Sequence, residues 1–344
     1  LGVASIDEGI QIRDAGVKLP ILILSPTPSW AIRGALENNL DITISTEKQL
    51  QDVSDNARSM GRQAAIHLKV DTGMHRLGVP LVRLEAILKN IAANSSSKSG
   101  SQSESGSRSE SEIESQSNPK SNAKPQPLRL ISVYSHLAKA ADYQSVLEQK
   151  KLFDQAVAIT RPLFPGTIFH LASSEAAIRF ADVRYDLVRV GLYLYGIEPD
   201  AVSNKLRPVL SVRARINHIN KIERGERVGY GLTWQADRPT TLAAVPIGYA
   251  DGVDRGLSNV MKGLLMDKVL NQVGRISMDQ MLFDITDVPQ AEEGDVITLI
   301  GSEGQNSLHL SDWAKELDTI TYELACRLRA RLPRIYTRIK VDSI

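Results

Sequence analysis

The residues whose types suggest chemistry collect behind short apolar runs. Lys69-Val70-Asp71-Thr72-Gly73-Met74-His75-Arg76-Leu77-Gly78 closes one run, and Ser135 and His136 close the next. Ser173 and Ser174 follow His170-Leu171-Ala172, and Arg189 stands just ahead of Gly191 and Leu192. Polar groups stacked behind buried strands cost free energy unless they pair with one another or bind something. Serines and glycines at such positions suit an anion, held by backbone N–H groups. Read one at a time, Ser174 serves equally as a helix cap and Arg189 as a structural ion-pair partner. A second set lies in the last third: Val228-Gly229-Tyr230-Gly231, Ile247-Gly248-Tyr249-Ala250-Asp251-Gly252 and Gly274-Arg275-Ile276-Ser277-Met278-Asp279-Gln280. A tyrosine between glycines rides on backbone that can approach a ligand closely. The plainer reading is a strand-edge aromatic beside a bulge.

Other chemistries are excluded by what is missing. The sequence has no G-x-x-x-x-G-K-[ST] loop, no G-x-G-x-x-G after a strand, no H-E-x-x-H and no paired-cysteine spacing, which argues against nucleotide hydrolysis, nicotinamide redox chemistry and zinc hydrolysis. No metal is expected. Lys and Arg total 41 against 40 Asp and Glu, so nothing points to nucleic acid or a membrane surface. Cys326 is the single cysteine, which fits a reducing compartment and a cytoplasmic protein. No apolar run approaches the roughly 20 residues of a bilayer span.

The elements that must carry these residues alternate. Strands are expected at Leu1–Ala4, Pro20–Leu24, Asp41–Ser45, Ala65–Val70, Leu128–Tyr134, Thr167–Leu171 and Asp186–Val190, with amphipathic helical stretches between them. That order argues for parallel βαβ units. Seven strands fall one short of the closed barrel's eight, and the shortfall is expected at the front. An open doubly wound sheet would need no eighth strand. If a first strand is missing, Ser173, Ser174 and Arg189 follow barrel strands 7 and 8, where such barrels frequently hold a phosphate. Residues 94–127 are too rich in Ser, Gln, Glu, Lys and Pro to bury a core and are expected to form a disordered insert. Past Pro199, short strands at Pro208–Ile222, Leu242–Ile247, Val269–Ile276, Met281–Ile285 and Val296–Ile300, with glycine turns between them, predict a separate β domain. It carries one helix, Ser311–Leu317, capped by Ser311. The expected division is a barrel domain at 1–203 and a β domain at 204–344.

Taken together, the ordered set HLKVDTGMHRLG, YSHLA, HLASSEAA, VRVGLYLYG, VGYGLTW, PIGYADG, GRISMDQ and TITYELACRLRARLPR resembles the bacterial alanine racemase family, from Leu1 to about Tyr336 apart from the serine-rich insert. Eight separated motifs in the family's order make the likeness specific. It implies a pyridoxal-phosphate isomerase built as a (β/α)8 barrel followed by a mostly β domain, and a head-to-tail homodimer with shared active sites. The implied reaction interconverts L- and D-alanine through an imine of the cofactor, supplying D-alanine for peptidoglycan. The cofactor withdraws electrons and acidifies the Cα–H bond; a base on each face then removes and returns the proton.

By the same resemblance, Tyr230 is the base for L-alanine, reaching in from the partner subunit. A free tyrosine has a pKa near ~10 and needs neighbouring positive charge to act at neutral pH; His136 and Arg189 look like members of the network that provides it. Arg189 matches the arginine facing the pyridine nitrogen, which it would keep unprotonated because a guanidinium only donates. Arg76 matches the arginine that contacts the phenolic oxygen and the substrate carboxylate. Met278 matches the residue whose backbone binds substrate, beside Asp279. Ser174, Gly191 and Leu192 match the phosphate cradle, and Lys69 a lysine carbamylated in some members, where it orients the arginine equivalent to Arg76.

The family's cofactor lysine lies in a motif like V-K-A-N-A-Y-G-H-G on the first barrel strand, and no such run occurs here. The imine lysine that is the second base, and a phosphate-binding tyrosine, are therefore expected to be missing along with roughly 30 residues of barrel; the chain by itself is expected to be inactive. A second departure is Ala330, where some members carry a phosphate-contacting tyrosine. A non-catalytic remnant that binds a partner or free cofactor is the competing reading, disfavoured by the two unpaired edges an unclosed barrel exposes. Related pyridoxal-phosphate decarboxylases carry a glycine-triplet loop, and this chain has no Gly-Gly pair. Alanine, serine or several small amino acids would use the same bases.

Overall fold

The computed structural model describes residues 1–95, 126–197, 206–328 and 331–337. All but the ends of the expected insert, the expected boundary at 203/204 and the departure at Ala330 lie outside those residues. The chain divides into two compact units, Leu1–Val190 and Gly191–Ile344.

The first unit runs β1 (Gly2–Val3), α1 (Ile6–Asp14), β2 (Leu22–Ile23), α2 (Ile32–Glu37), β3 (Asp41–Ile44), α3 (Glu47–Ser59), β4 (Ala64–Asp71), β5 (Val79–Pro80), α4 (Leu81–Ser95), β6 (Leu128–Tyr134), α5 (Tyr143–Thr160), β7 (Ile168–His170) and α6 (Ser174–Arg179). The helices start where side chains satisfy orphan amides: Thr46 accepts from the Gln49 N–H at 3.1 Å, and Asp142 from those of Gln144 and Ser145. The strands pair in parallel in the order β1-β2-β3-β4-β6-β7, with β5 beside β4, and the sheet curls as the wall of a (β/α) barrel. The middle of β4 is buried without alternation, from Ile66 to Val70, as a parallel strand covered on both faces must be.

Six of the seven expected strands form. The seventh does not: Asp186–Val190 contributes a single parallel bridge, Ser173 to Arg189. Its apolar run reads as a buried strand, yet Leu187, Val188 and Val190 are 43%, 36% and 39% exposed, so no covering layer fixes it into a ladder. Asp186 still ties it down, accepting the Phe169 N–H at 2.8 Å.

The second unit is mostly β, with β8 (Val212–Arg215), β9 (His218–Ile222), β10 (Arg227–Val228), β11 (Trp234–Gln235), β12 (Thr240–Val245), β13 (Lys262–Leu265), β14 (Lys268–Val273), β15 (Met281–Asp284), β16 (Val296–Glu303) and β17 (Asn306–Leu308). The main sheet is antiparallel in the order β17-β16-β13-β14-β15-β12-β9, with β8 on β16; β10 and β11 make a separate hairpin. The run Pro208–Ile222, expected as one strand, breaks into two, and β13 was not foreseen. The expected helix starts one residue early: α7 spans Leu310–Glu316 and is capped at His309, whose N–H bonds Asp312 at 2.7 Å, so Ser311 is not the cap. A second helix, α8 (Thr321–Arg327), follows.

Candidate active site

Parallel pairing puts Lys69, Tyr134 and His170 in one register across the ends of β4, β6 and β7. All three side chains are buried, at 6%, 2% and 2% exposure. The Tyr134 ring stacks on His170 with centroids 4.8 Å apart, and carries Lys69 Nζ at 5.5 Å and the Arg189 guanidinium at 5.3 Å from its centroid. An aromatic face stabilises a cation without neutralising it. Burial pushes the Tyr134 phenol up, against the opposing pull of Thr43 and Arg189, so it stays a neutral platform.

Arg189 organises the rest. Nη1 donates to His170 Nδ1 at 2.7 Å and to the His170 carbonyl at 3.2 Å. Nη2 donates to the Ser135 carbonyl at 2.6 Å, to the Leu171 carbonyl at 2.9 Å and to His136 Nδ1 at 3.2 Å. A guanidinium has no acceptor, so each imidazole offers an unprotonated Nδ1 and carries its proton on Nε2. The order propagates downward: His170 Nε2 donates to Ser132 Oγ at 2.9 Å, Ser132 Oγ donates to His67 Nδ1 at 2.6 Å, and His67 Nε2 faces Asp41 at 3.2 Å. Burial and the Arg189 charge hold His170 down to about 2. Burial, then Arg189, Lys69 and Arg76, hold His136 down to about 4. Both rings are neutral at physiological pH. The Nε–H of Arg189 has no acceptor among the described residues.

Positive charge gathers here without a carboxylate ion-paired to it among the described residues. Burial lowers the Lys69 pKa, and Arg76 and Arg189 lower it further. Asp71 pulls the Lys69 pKa the other way, but its Oδ1 is occupied by its own turn, accepting the N–H groups of Gly73, Met74 and His75 at 3.0–3.1 Å. Burial raises the Asp71 pKa and these bonds outweigh it, leaving a carboxylate committed to the loop that presents Arg76. Arg76 itself is exposed and makes no hydrogen bond among the described residues. Ser174 is the first residue of α6 and is 6% exposed; the cap position is taken by Ser173. Four site residues expected from sequence, Lys69, Arg76, His136 and Arg189, thus come together electrostatically, with Ser174 one residue beyond the bridge to Arg189.

In the second unit Gly191 precedes a 3-10 turn, Leu192–Tyr195, in which Leu192 is buried; a Cβ built on Gly191 would meet nothing within 4 Å. Elsewhere in this unit the three glycine-flanked runs touch one another. A Cβ on Gly248 would lie 2.3 Å from the Ser277 carbonyl and 2.5 Å from that of Met278, so only glycine permits the contact. Tyr249 and Ala250 then donate their N–H groups to those carbonyls at 3.1 and 3.0 Å. Gly229 and Gly231 adopt φ of 75° and 73°, and the first packs on the Arg275 backbone. The pair leaves Tyr230 73% exposed at the head of a tight turn, not beside a strand bulge. Met278, 54% exposed, sits beside Asp279, which bonds Arg331 at 2.5 Å. Arg331 also grips the buried Asp251 at 2.8 and 3.2 Å, while Asp251 accepts the Gly248 N–H at 2.9 Å.

Both halves match one family. The alanine racemase N-terminal domain model matches residues 1–101 and 106–199, and the alanine racemase C-terminal domain model residues 209–336. The chain belongs to the alanine racemase family. It is an isomerase of that family by relationship as well as by motif. An alanine racemase of Nostoc sp. is 36% identical, over 97% of this chain and 81% of the relative. One from Synechocystis sp. is 37% identical, over 97% of this chain and 84% of the relative. The solved alanine racemase of Streptomyces coelicolor superposes with a TM-score of 0.83 at 28% identity, covering all of this chain (100%) and 84% of that one. That of Bacillus anthracis with bound L-Ala-P gives 0.81 at 27% identity, over 98% of this chain and 81% of that one.

Sequence reasoning did not single out Tyr134, Gln149 or Arg331. Gln149 had a signal: it occupies a core position of α5, in the stripe Val146, Gln149, Phe153, Ala156, Thr160. Tyr134 and Arg331 stood inside the motifs YSHLA and TITYELACRLRARLPR, but their contacts depend on partners 35 or more positions away.

Proposed function

We propose that the protein interconverts L- and D-alanine with pyridoxal phosphate, by a two-base mechanism. The observation that carries this reading is Arg189: both terminal nitrogens are committed, and among the described residues no acid neutralises it and nothing accepts its Nε–H. That donor set fits an unprotonated ring nitrogen, and the surrounding Lys69, Arg76 and His136 fit the cofactor's phenolic oxygen and a substrate carboxylate. When bound, the cofactor acidifies the Cα–H bond of an amino acid joined to it.

Arg189 would face the ring nitrogen, Arg76 the phenolic oxygen and substrate carboxylate, and Ser174, Gly191 and Leu192 the phosphate. The lowered pKa of Lys69 favours the neutral amine that carbamylation requires; a carbamate there would give Arg76 the acidic partner it otherwise lacks. Tyr230 removes and returns the proton on the L face at Cα, with the Met278 backbone and Asp279 holding the carboxylate end. Arg189 supplies the positive charge that favours the deprotonated phenol, and the neutral His136, bonded to Arg189, is a member of that network. In this reading Tyr230 serves the site of a partner subunit in a homodimer, and the product is D-alanine for peptidoglycan, made in the cytoplasm. Among the described residues no helix is long and apolar enough to cross a membrane. The lysine that anchors the cofactor and acts as the second base has no counterpart motif in this sequence.

The test is racemisation by protein expressed from the complete reading frame, with added pyridoxal phosphate and L-alanine in deuterated water. D-alanine carrying deuterium at Cα is expected. Its absence, with the cofactor demonstrably bound, overturns the reading.

A further inference from the structure

Gln149 spends a core position on polar bonds. It lies on the buried stripe of α5 and is 5% exposed, where an aliphatic side chain would gain more from burial. An amide is tolerated there only when its hydrogen bonds are made. All the available ones go to the end of the barrel that holds the site. Oε1 accepts the Ala138 N–H at 2.7 Å; Nε2 donates to the His136 carbonyl at 3.0 Å and to Thr72 Oγ1 at 3.1 Å. Thr72, 1% exposed, in turn shares a 2.7 Å bond with Ser135 Oγ, itself 2% exposed. One side chain therefore links the loop after β6, which carries His136, to the turn after β4, which carries Arg76. Among the described residues, no other side chain bonds the backbone of His136, Leu137 or Ala138; the loop's other anchors are buried Leu137, the Ser135 N–H on the His170 carbonyl at 3.3 Å, the Thr72–Ser135 bond and the Arg189 bonds themselves.

We propose that Gln149 is a positioning residue: it fixes the loop Ser135–Ala138 so that the Ser135 carbonyl and the His136 imidazole stay on Arg189. The role in catalysis rests on the racemase reading above; the positioning itself does not. If the loop loosens, His136 departs from Arg189 Nη2, gains water, and a guanidinium proton loses its acceptor. The groups facing His136 are all cationic, Arg189, Lys69 and Arg76, so a displaced ring escapes their repulsion as well.

The chain has six histidines, few enough to follow individually with labelled imidazoles. In the unsubstituted protein His136 should remain neutral, with Nδ1 unprotonated, until the pH nears about 4. In Gln149→Met, which removes all three bonds at similar volume, its midpoint should move toward the ordinary value near ~6.5 by a unit or more. His170 should stay neutral in both, showing that the barrel is intact. In the complete enzyme kcat should fall roughly tenfold while KM for alanine changes far less, as expected when a group is misplaced and substrate contacts are kept. Thr72→Val, which removes the Thr72 bond to Ser135 Oγ but leaves both Gln149 bonds to the loop backbone, should move His136 less. If Gln149→Met does not fold, Gln149→Asn, whose amide is one methylene too short, is read the same way. An unchanged His136 titration with His170 still neutral overturns the proposal. An unsubstituted enzyme that does not racemise would instead sink the functional reading and leave the titration result standing.

Discussion

Because a guanidinium has no lone pair to offer, the two bonds from Arg189 to imidazole Nδ1 atoms leave His136 and His170 one tautomer each. Neutral buried histidine links stability to pH. His170 is depressed to about 2 in the fold against an ordinary 6.5 when unfolded, so the unfolded chain binds the extra proton. Its contribution is complete above pH 6.5 and is lost progressively as the pH falls from there toward 2, at a limiting slope of about 1.4 kcal/mol per pH unit. Denaturant unfolding at pH 7, 5.5 and 4.5 should therefore show a shallower decline for His170→Asn than for the unsubstituted protein. Equal slopes would mean that His170 is charged in the fold. Tyr230→Phe tests the other half of the site. It should abolish exchange of the Cα proton of L-alanine into solvent while leaving folding untouched, since the phenol is 73% exposed. Normal exchange would show the base to be misassigned. At this scale the sequence named candidate residues and was silent about what they touch. Lys69, His136 and Arg189 could be named from motifs, whereas the Tyr134 platform beneath them depends on the register of three strands.

Elements were legible where the hydrophobic pattern had one physical meaning. The β4 and β6 runs, Ala64–Asp71 and Leu128–Tyr134, formed nearly where expected because eight or seven apolar-rich positions suit a doubly covered strand. Asp186–Val190 misled for the same reason: composition does not report whether a covering layer exists. In the second unit β13, Lys-Gly-Leu-Leu, escaped notice because a glycine breaks its pattern. That glycine has a packing reason, since a Cβ on Gly263 would lie 2.8 Å from Ile297 and from Phe283. Gly248 is the stricter case. Gly248→Ala would drive a methyl into the carbonyls of Ser277 and Met278, and the loop holding Tyr249 would have to leave the turn holding Met278. We expect a loss of about 1–3 kcal/mol in stability, the usual cost of overpacking, and a several-fold rise in KM for alanine. A thermal melt and steady-state kinetics check both. A variant with unchanged KM would separate this contact from substrate binding.

At the scale of the molecule, the cations lie in one unit and Tyr230 in the other, and the proposed homodimer, if its sites are shared between subunits, makes a quantitative prediction. Arg76→Ala should fold normally, because Arg76 is exposed and unbonded among the described residues, yet lose most activity for want of its carboxylate contact. Tyr230→Phe should lose racemisation for want of a base. Co-expressed in equal amounts, the two variants assort so that half of all dimers are mixed. If Tyr230 serves its partner, each mixed dimer has one site with both substitutions and one with neither. The mixture should then regain about a quarter of the unsubstituted activity. If Tyr230 serves its own chain, every site carries one defect and mixing restores nothing. Isolating the mixed dimers with two affinity tags sharpens the contrast to about half of the full rate against the residual rate of the single variants. Only a subunit-crossing site lets two broken chains make one intact centre.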